Sequence, residues 1–326
     1  MRTLLPDVNY AFSPSLLDAF ETLNSTKLED YFYQDESGAW HKNYNEEDGT
    51  FHLSDAEMHE RLKKEFLDKV NKVPQPPSEA ASKGTAFNEI VDCLVLNRKP
   101  ENPKVVIKTI RSGDDLFSVK PKPLPIIMPD HTAKTDEAAM NQLYAECMEQ
   151  YSKIGMPFIY AAIDGFEFLF DKNLCMDAAE YHKNSLCQYY TAATLQTSKG
   201  LVELHGYIDY LRENKIFDAK TSKKYDFGNY MHRWQRYTYP YTMIESGLME
   251  SVSSFEFTIY KLTGGGPRSP LITGERYMEE YTYDHEQAKE MLVAHCEQLI
   301  DFLEANRESI TNLKVFGIED ADNRQD

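Results

Sequence analysis

Cysteine is scarce in this chain. Cys93, Cys147, Cys175, Cys187 and Cys296 are odd in number, widely spaced and free of any CxxC pair. That usage excludes a disulfide framework, leaves no iron–sulfur cluster or zinc centre to be expected from cysteines, and fits buried thiols in a reducing compartment. Long hydrophobic runs are also missing. The most apolar stretch, 156–170, carries Asp164 and Glu167 inside it, short of the roughly 18–20 apolar residues that span a bilayer. Pro6 and Asp7 interrupt the N-terminus before a secretory core could form. The expectation is a soluble, cytoplasmic protein with no membrane partner. Positive charge is in deficit, with 35 Lys and Arg against 53 Asp and Glu and a net charge of −18. A chain so acidic cannot coat nucleic acid over its whole surface, because phosphate affinity comes from counterions released at Lys and Arg. Nucleotide and hydrolase signatures are absent as well. Gly264-Gly265-Gly266-Pro267 has neither a Walker lysine nor a GxGxxG frame and reads as a hairpin loop. No GxSxG, HxxxH or HExxH occurs.

What is present suffices for a large core: 326 residues, 41% apolar and 12% aromatic, which sets aside disorder of the whole chain. Ser13-Pro14-Ser15 opens a helix with a serine cap and proline in the first turn. Met58, Leu62, Phe66 and Val70 recur every four residues and predict a helix over 55–70. A second helix is expected from 82–84 to about 96, and another over 136–154. Proline-rich 97–134 reads as irregular strands and loops. From 188 the period changes to two, predicting strands over 188–197, 201–211 and 215–221 with tight turns at 199–200 and 213–214. A helix over 229–244 follows, kinked or restarted at Pro240, then a strand through Phe255, Phe257 and Ile259. A long helix over 284–306 keeps His295 and Cys296 in its core face, and 319–326 reads as a disordered tail.

The chemistry is concentrated in Gly206-Tyr207-Ile208-Asp209 and Asp218-Ala219-Lys220-Thr221. Two carboxylates and an ammonium meet there at one edge of a sheet, because the strand period points Asp218 and Lys220 to the same face. Phosphodiester hydrolysis uses such parts. Carboxylate oxygens hold Mg²⁺, the cation acidifies an attacking water, and a lysine offsets charge that develops in the transition state. Gln235 and Tyr239 follow at i, i+4 on the next helix.

These residues, in this order and on these elements, resemble the PD-(D/E)xK nuclease superfamily in its RecB-like branch, which includes RecE-type exonucleases. The serine-led helix from Ser13 is similar to the one that often opens such proteins. The first helix motif reads Gly84-Thr85-Ala86-Phe87-Asn88-Glu89-Ile90-Val91-Asp92 and departs from the pattern by placing Asn88 where the family has a metal-binding histidine. Asp92 is the expected carboxylate and Glu89 its solvated competitor. The resemblance covers 84–96 and about 200–245, with weaker support to 302.

The resemblance implies an α/β fold with a restriction-endonuclease-like core, a mixed central sheet flanked by helices. An N-terminal helical region would span 1–80, the core 81–310 with an insertion at about 97–195, and a tail 311–326. It implies a Mg²⁺- or Mn²⁺-dependent deoxyribonuclease, in the leading version an exonuclease that processes DNA ends for recombination or repair. Asp209, Asp218 and Lys220 would be catalytic; Asp209, Asp218, the Ala219 carbonyl, Asp92 and Asn88 would hold the metal. A homo-oligomer and a single-strand annealing protein are implied partners. Residues 205–240 contain seven Lys and Arg against four Asp and Glu, a local reversal of the overall sign. Gln235, Tyr239, Lys223, Lys224, Arg233 and Arg236 are therefore expected at DNA, with His232, Trp234, Tyr225 and Tyr230 as aromatic surfaces for unpaired bases. A non-catalytic DNA-end or protein-binding module on the same fold and a structure-specific endonuclease are the alternatives.

Overall fold

The computed structural model describes residues 3–35, 40–46, 49–110, 126–127, 133–134, 158–266 and 269–318. The helix expected over 136–154 and the tail 319–326 lie outside them. The elements are β1 (Tyr10–Phe12), α1 (Pro14–Ser25), β2 (Phe32–Gln34), β3 (Trp40–Lys42), α2 (Asp55–Val70), α3 (Glu79–Leu96), β4 (Val106–Ile110), β5 (Ile126–Ile127), β6 (Ala133–Lys134), β7 (Phe158–Ile163), β8 (Phe166–Asp171), α4 (Lys172–Tyr181), β9 (Leu186–Thr197), β10 (Gly200–Arg212), β11 (Lys215–Ser222), α5 (Gln235–Glu245), β12 (Ser254–Thr263), β13 (Leu271–Thr282) and α6 (His285–Ala305).

Nine strands form one mixed sheet in the order β1-β10-β11-β12-β13-β8-β7-β4, with β9 paired to β10. β9, β10 and β11 form an antiparallel meander. β11 and β12 then run parallel, and α5 supplies the crossover that parallel neighbours require. β7 and β8 form a hairpin closed by Asp164 and Gly165, both at positive φ (53° and 86°), the backbone a tight primed turn demands. The apolar 156–170 stretch is thus a buried strand pair.

Three boundaries differ from the sequence reading. β1 pairs in parallel with β10, and α1, α2 and α6 share one apolar cluster with β9 and the start of β10. The first 80 residues are therefore part of the core, since the apolar faces of α1 and α2 have nowhere else to be buried. Likewise β7, β8 and β9, expected inside an insertion, belong to the central sheet. At the other end Val315 and Phe316 are buried and join the same cluster as α1, so the core runs past residue 310.

The helix ends follow their capping chemistry. Ser54 and Glu57 form a reciprocal capping box that starts α2 at Asp55. Ser78 caps α3 a turn earlier than expected by accepting from the Ala81 amide. α5 begins at Gln235 rather than 229, because 226–234 is a series of turns. Pro240 sits inside α5, which continues through it.

Candidate active site

The regularity of the sheet breaks down at Asp209. One side of β10 is paired with β9 along nearly its whole length. On its other side β1 pairs only with Val202–Leu204 and β11 only with Tyr210–Arg212. Residues 205–209 lie between those partners, and α1 starts in that gap: Pro14 Cδ lies 3.4 Å from where a Gly206 Cβ would stand. The two-residue alternation also slips here. Ile208 packs with Tyr239 and Met243 of α5, whereas Tyr210 packs with the α3 cluster around Phe87 and Ile90. Opposite Asp209, between the pairs Ile208–Tyr189 and Tyr210–Cys187, stands Gln188 with φ +51°, a backbone state uncommon for a residue with a side chain.

Asp209 spans the fork this creates. Its Oδ2 accepts from the Ala219 amide at 2.8 Å, and Gln188 Nε2 donates to its Oδ1 at 3.4 Å. The carboxylate thereby serves the backbone donor that the departing strand leaves without a carbonyl. Across the fork Lys220 Nζ stands 2.5 Å from Asp218 Oδ2, and its ammonium also faces the Phe257 ring at 5.9 Å. Gln235, with its amide oriented to suit both neighbours, accepts from Lys220 Nζ at 3.3 Å and donates to Asp18 Oδ2 at 3.1 Å. Asp18 also accepts from the Trp234 amide at 2.7 Å and has Arg233 Nη1 3.7 Å away.

Helix α3 brings the remaining carboxylate. Gly84, Asn88 and Asp92 follow at intervals of four on one face. A Cβ on Gly84 would stand 2.6 Å from Thr221 Oγ1, so only glycine lets the helix approach β11 this closely. Two turns on, Asp92 is buried beside the Tyr210 hydroxyl and the Gln188 amide, and its charge is felt at Asp209. Asn88 lies one turn from each on this face and is half-buried. Glu89 is not solvated, contrary to expectation. It accepts from Arg98 Nη1 at 2.9 Å and from the Glu101 amide at 2.7 Å, which ties down the chain after the left-handed cap at Asn97.

The electrostatics of the fork are unbalanced. Burial, then the charge of Asp218, pushes the Asp209 carboxyl up to about 7. Burial raises Asp92 to about 6 and also raises Asp18. Burial disfavours the Lys220 ammonium, but the charges of Asp218 and Asp209 outweigh it and raise its pKa. Asp92 Oδ1 is buried without a hydrogen-bond partner, whereas the buried Asp218 Oδ2 is taken up by the Lys220 ammonium. Among the described residues no three His, Cys, Asp or Glu side chains converge into a ready-made metal cage. The donor set still fits a hard cation that keeps several waters, because Mg²⁺ is often held by only one or two carboxylates. The unpartnered Asp92 Oδ1 is the kind of ligand it takes.

The residues expected at DNA divide into two groups. Lys223, Lys224, His232 and Arg233 are exposed. Arg236 and Tyr239 depart from that expectation. The Arg236 guanidinium lies between the rings of Tyr237 and Tyr281, 4.4 and 4.5 Å from their centroids. Tyr239 is buried, and a Cβ on Gly206 would stand 2.8 Å from its Cε1, so it supports the strand that carries Asp209. Trp234 stacks at 4.0 Å on His295 in the core. Tyr230 packs on Phe257, and Tyr225 donates to Glu279. Asp18 was not foreseen. Its only sequence signal is a carboxylate within the apolar stripe of α1, next to Leu17 and four residues after Pro14.

No protein-family model matches the chain, and no curated protein matches it. Among solved structures it is similar to a protein titled SSO0001, at 13% identity and a TM-score of 0.26, over 38% of this chain and 52% of that one. It is similar also to Rai1 of Scheffersomyces stipitis, solved with (3'-NADP)+ and calcium ion, at 11% identity and a TM-score of 0.16, over 97% of this chain and 88% of that one. The chain spans about half the length of SSO0001. Neither likeness bears on fold or function, and the motifs with their geometry alone carry the assignment of the site.

Proposed function

We propose that the chain is a Mg²⁺- or Mn²⁺-dependent deoxyribonuclease, in its leading version an exonuclease that processes DNA ends for recombination or repair. The observation that carries this reading is the fork itself. Asp209 and Asp218 sit on two strands that separate between them, Lys220 stands beside Asp218, and α3 adds Asp92. Asp209, Asp218, the Ala219 carbonyl, Asp92 and Asn88 would hold the cation. Bound there, it supplies Lewis acidity to the scissile phosphate and acidifies water.

The protein's own residues supply the rest. Lys220 presents a positive charge to the oxygens that gain negative charge in the transition state. Gln235 and Asp18 fix its position, so little reorganisation is needed when charge develops. Asp209 binds a cation only as the carboxylate, so its raised pKa makes cation affinity increase with pH toward neutrality. Lys223, Lys224 and Arg233 offer exposed charge to the phosphate backbone. A ring-like homo-oligomer and a single-strand annealing partner follow from the family resemblance.

End-labelled linear DNA and covalently closed DNA, incubated with Mg²⁺ or Mn²⁺, test this reading. The expected result is loss of linear DNA only, abolished by chelation and by Lys220→Ala. Cutting of the closed circle would select the endonuclease version. Asn88 favours one rival, a non-catalytic DNA-end binder, which would bind both ends and leave them intact.

A further inference from the structure

The loop from Lys223 to Trp234 leaves β11 three residues after Lys220 and re-enters the site at Gln235. Its backbone is firmly held. Glu279 of β13 is 1% exposed; its Oε1 accepts from the Tyr225 hydroxyl at 2.8 Å and from the Gly228 amide at 2.8 Å, and its Oε2 accepts from the Tyr281 hydroxyl at 2.5 Å. Tyr225 also packs on Tyr277, with centroids 4.8 Å apart. Gly228 at φ +90° and short turns closed by Met231→Gly228 and Arg233→Tyr230 complete the loop. Between the two anchored residues, Tyr225 and Gly228, Phe227 is 84% exposed, and Met231 beyond is 42% exposed. Phe227 has no ring partner among the described residues. Lys223, Lys224 and Arg233 flank it in the sequence and are exposed, against one acidic loop residue, Asp226.

A single exposed apolar residue is ordinary. An aromatic projected from a loop that a buried carboxylate holds in place, inside a basic segment of an acidic chain, has a specific ligand chemistry. Its ring offers a π-face to any base, and the surrounding cations fit the flanking phosphates. We propose that residues 223–233 are a preordered platform for single-stranded DNA, on which Phe227 stacks against an unpaired base beside the cleavage site. Lys223, Lys224 and Arg233 take the adjoining phosphates. This rests on the nuclease reading and refines its substrate: the strand meets the site unpaired. It also replaces Trp234, Tyr225 and Tyr230, which the sequence suggested for this role and which the fold uses internally.

The test is binding of the full chain, with Ca²⁺ in place of Mg²⁺, to an oligodeoxynucleotide carrying 2-aminopurine, to its blunt duplex and to RNA of the same sequence. Wild type should quench the single-stranded probe. Phe227→Ala should weaken that binding by roughly 5- to 150-fold, the range that loss of one stacked base implies, and leave duplex affinity within about threefold. Phe227→Trp should restore it. Lys223→Ala with Lys224→Ala should weaken single-strand and duplex binding together and flatten the salt dependence by about 1.4 log units per log unit of salt on the single strand and about 1.8 on the duplex. Equal affinity of wild type and Phe227→Ala, equal losses on single strand and duplex, or tighter binding of RNA would overturn the proposal. Phe227-dependent quenching by a protein that cleaves nothing in Mg²⁺ would sink the nuclease and spare the platform. Cleavage by a protein whose DNA binding ignores Phe227 would do the reverse.

Discussion

Strand β11 has a lysine between carboxylates at each end, and the two arrangements differ. At its start Lys215 Nζ lies 2.9 Å from Glu256 Oε2 and 3.0 Å from Glu280 Oε1. Tyr181 and Thr258 hydroxyls complete Glu256, and Ser254 completes Glu280. Near its end Lys220 meets Asp218 Oδ2 at 2.5 Å, but burial raises the pKa of both Asp209 and Asp92, and Asp92 Oδ1 has no hydrogen-bond partner. Both clusters set a lysine of β11 against carboxylates, two of them on other strands at the first and one at the second. The satisfied one locks β11, β12 and β13 together. The other gathers buried carboxylates in excess of cation, an unfavourable electrostatic balance that a bound cation would relieve.

The contrast can be broken most severely by removing one charge from each end. Asp218→Asn should lower cleavage by about 10²- to 10³-fold, the scale of losing a directly acting electrostatic group. Glu256→Gln should leave cleavage per folded molecule unchanged and instead cost about 3 kcal/mol of stability, because it breaks a buried ion pair and leaves polar partners without it; denaturant unfolding reads this. A second difference concerns divalent cation. Mn²⁺ at a hundredfold excess over its dissociation constant should stabilise wild type by about 2.7 kcal/mol. It should do nothing for Asp218→Asn, and Glu256→Gln should keep the full increment.

The pH response sharpens the same point. Asp209 titrates at about 7 in the fold against the ordinary value of 3.8. Between those values the folded protein holds a proton that the unfolded chain has released, so metal-free stability falls as pH rises through about 4 to 7 and levels off above. Asp209 keeps a solvent-facing edge, which limits the loss to about 1–3 kcal/mol. Asp209→Asn should flatten this slope in a pH series of unfolding curves. Cation affinity should rise through the same window. The smallest effect is steric: Gly206→Ala forces a Cβ against Tyr239 and should cost about 1–3 kcal/mol, with cleavage lowered because the strand bearing Asp209 must shift.

Much of this site was legible because short motifs encode close approach. Gly84 and Gly206 sit where a Cβ would meet Thr221 and Tyr239, and the period of two placed Asp218 with Lys220. Local periodicity also defined α2 and the β9–β11 meander. Long-range pairing was not legible. Nothing in Tyr10–Phe12 announces a parallel partner 192 residues away in Val202–Leu204, and β8 meets β13 across 102 residues. Asp18 was missed for the same reason: its partners Trp234 and Gln235 are brought to it only by the fold. Glu89 was misread because its ion pair depends on the chain doubling back at Asn97, a three-dimensional event with a one-residue signature. Aromatic residues around 225–237 could be counted in sequence but not sorted into those the core consumes and the one, Phe227, that it leaves exposed.

The most direct measurement is the rate of digestion of end-labelled linear DNA in Mn²⁺ by wild type, Asp218→Asn and Glu256→Gln, corrected for the folded fraction of each. Wild type and Glu256→Gln should digest at equal rates while Asp218→Asn is slower by about 10²- to 10³-fold. Undiminished digestion by Asp218→Asn, or intact DNA with the wild-type protein, would contradict the assignment of the fork between β10 and β11 as a catalytic centre.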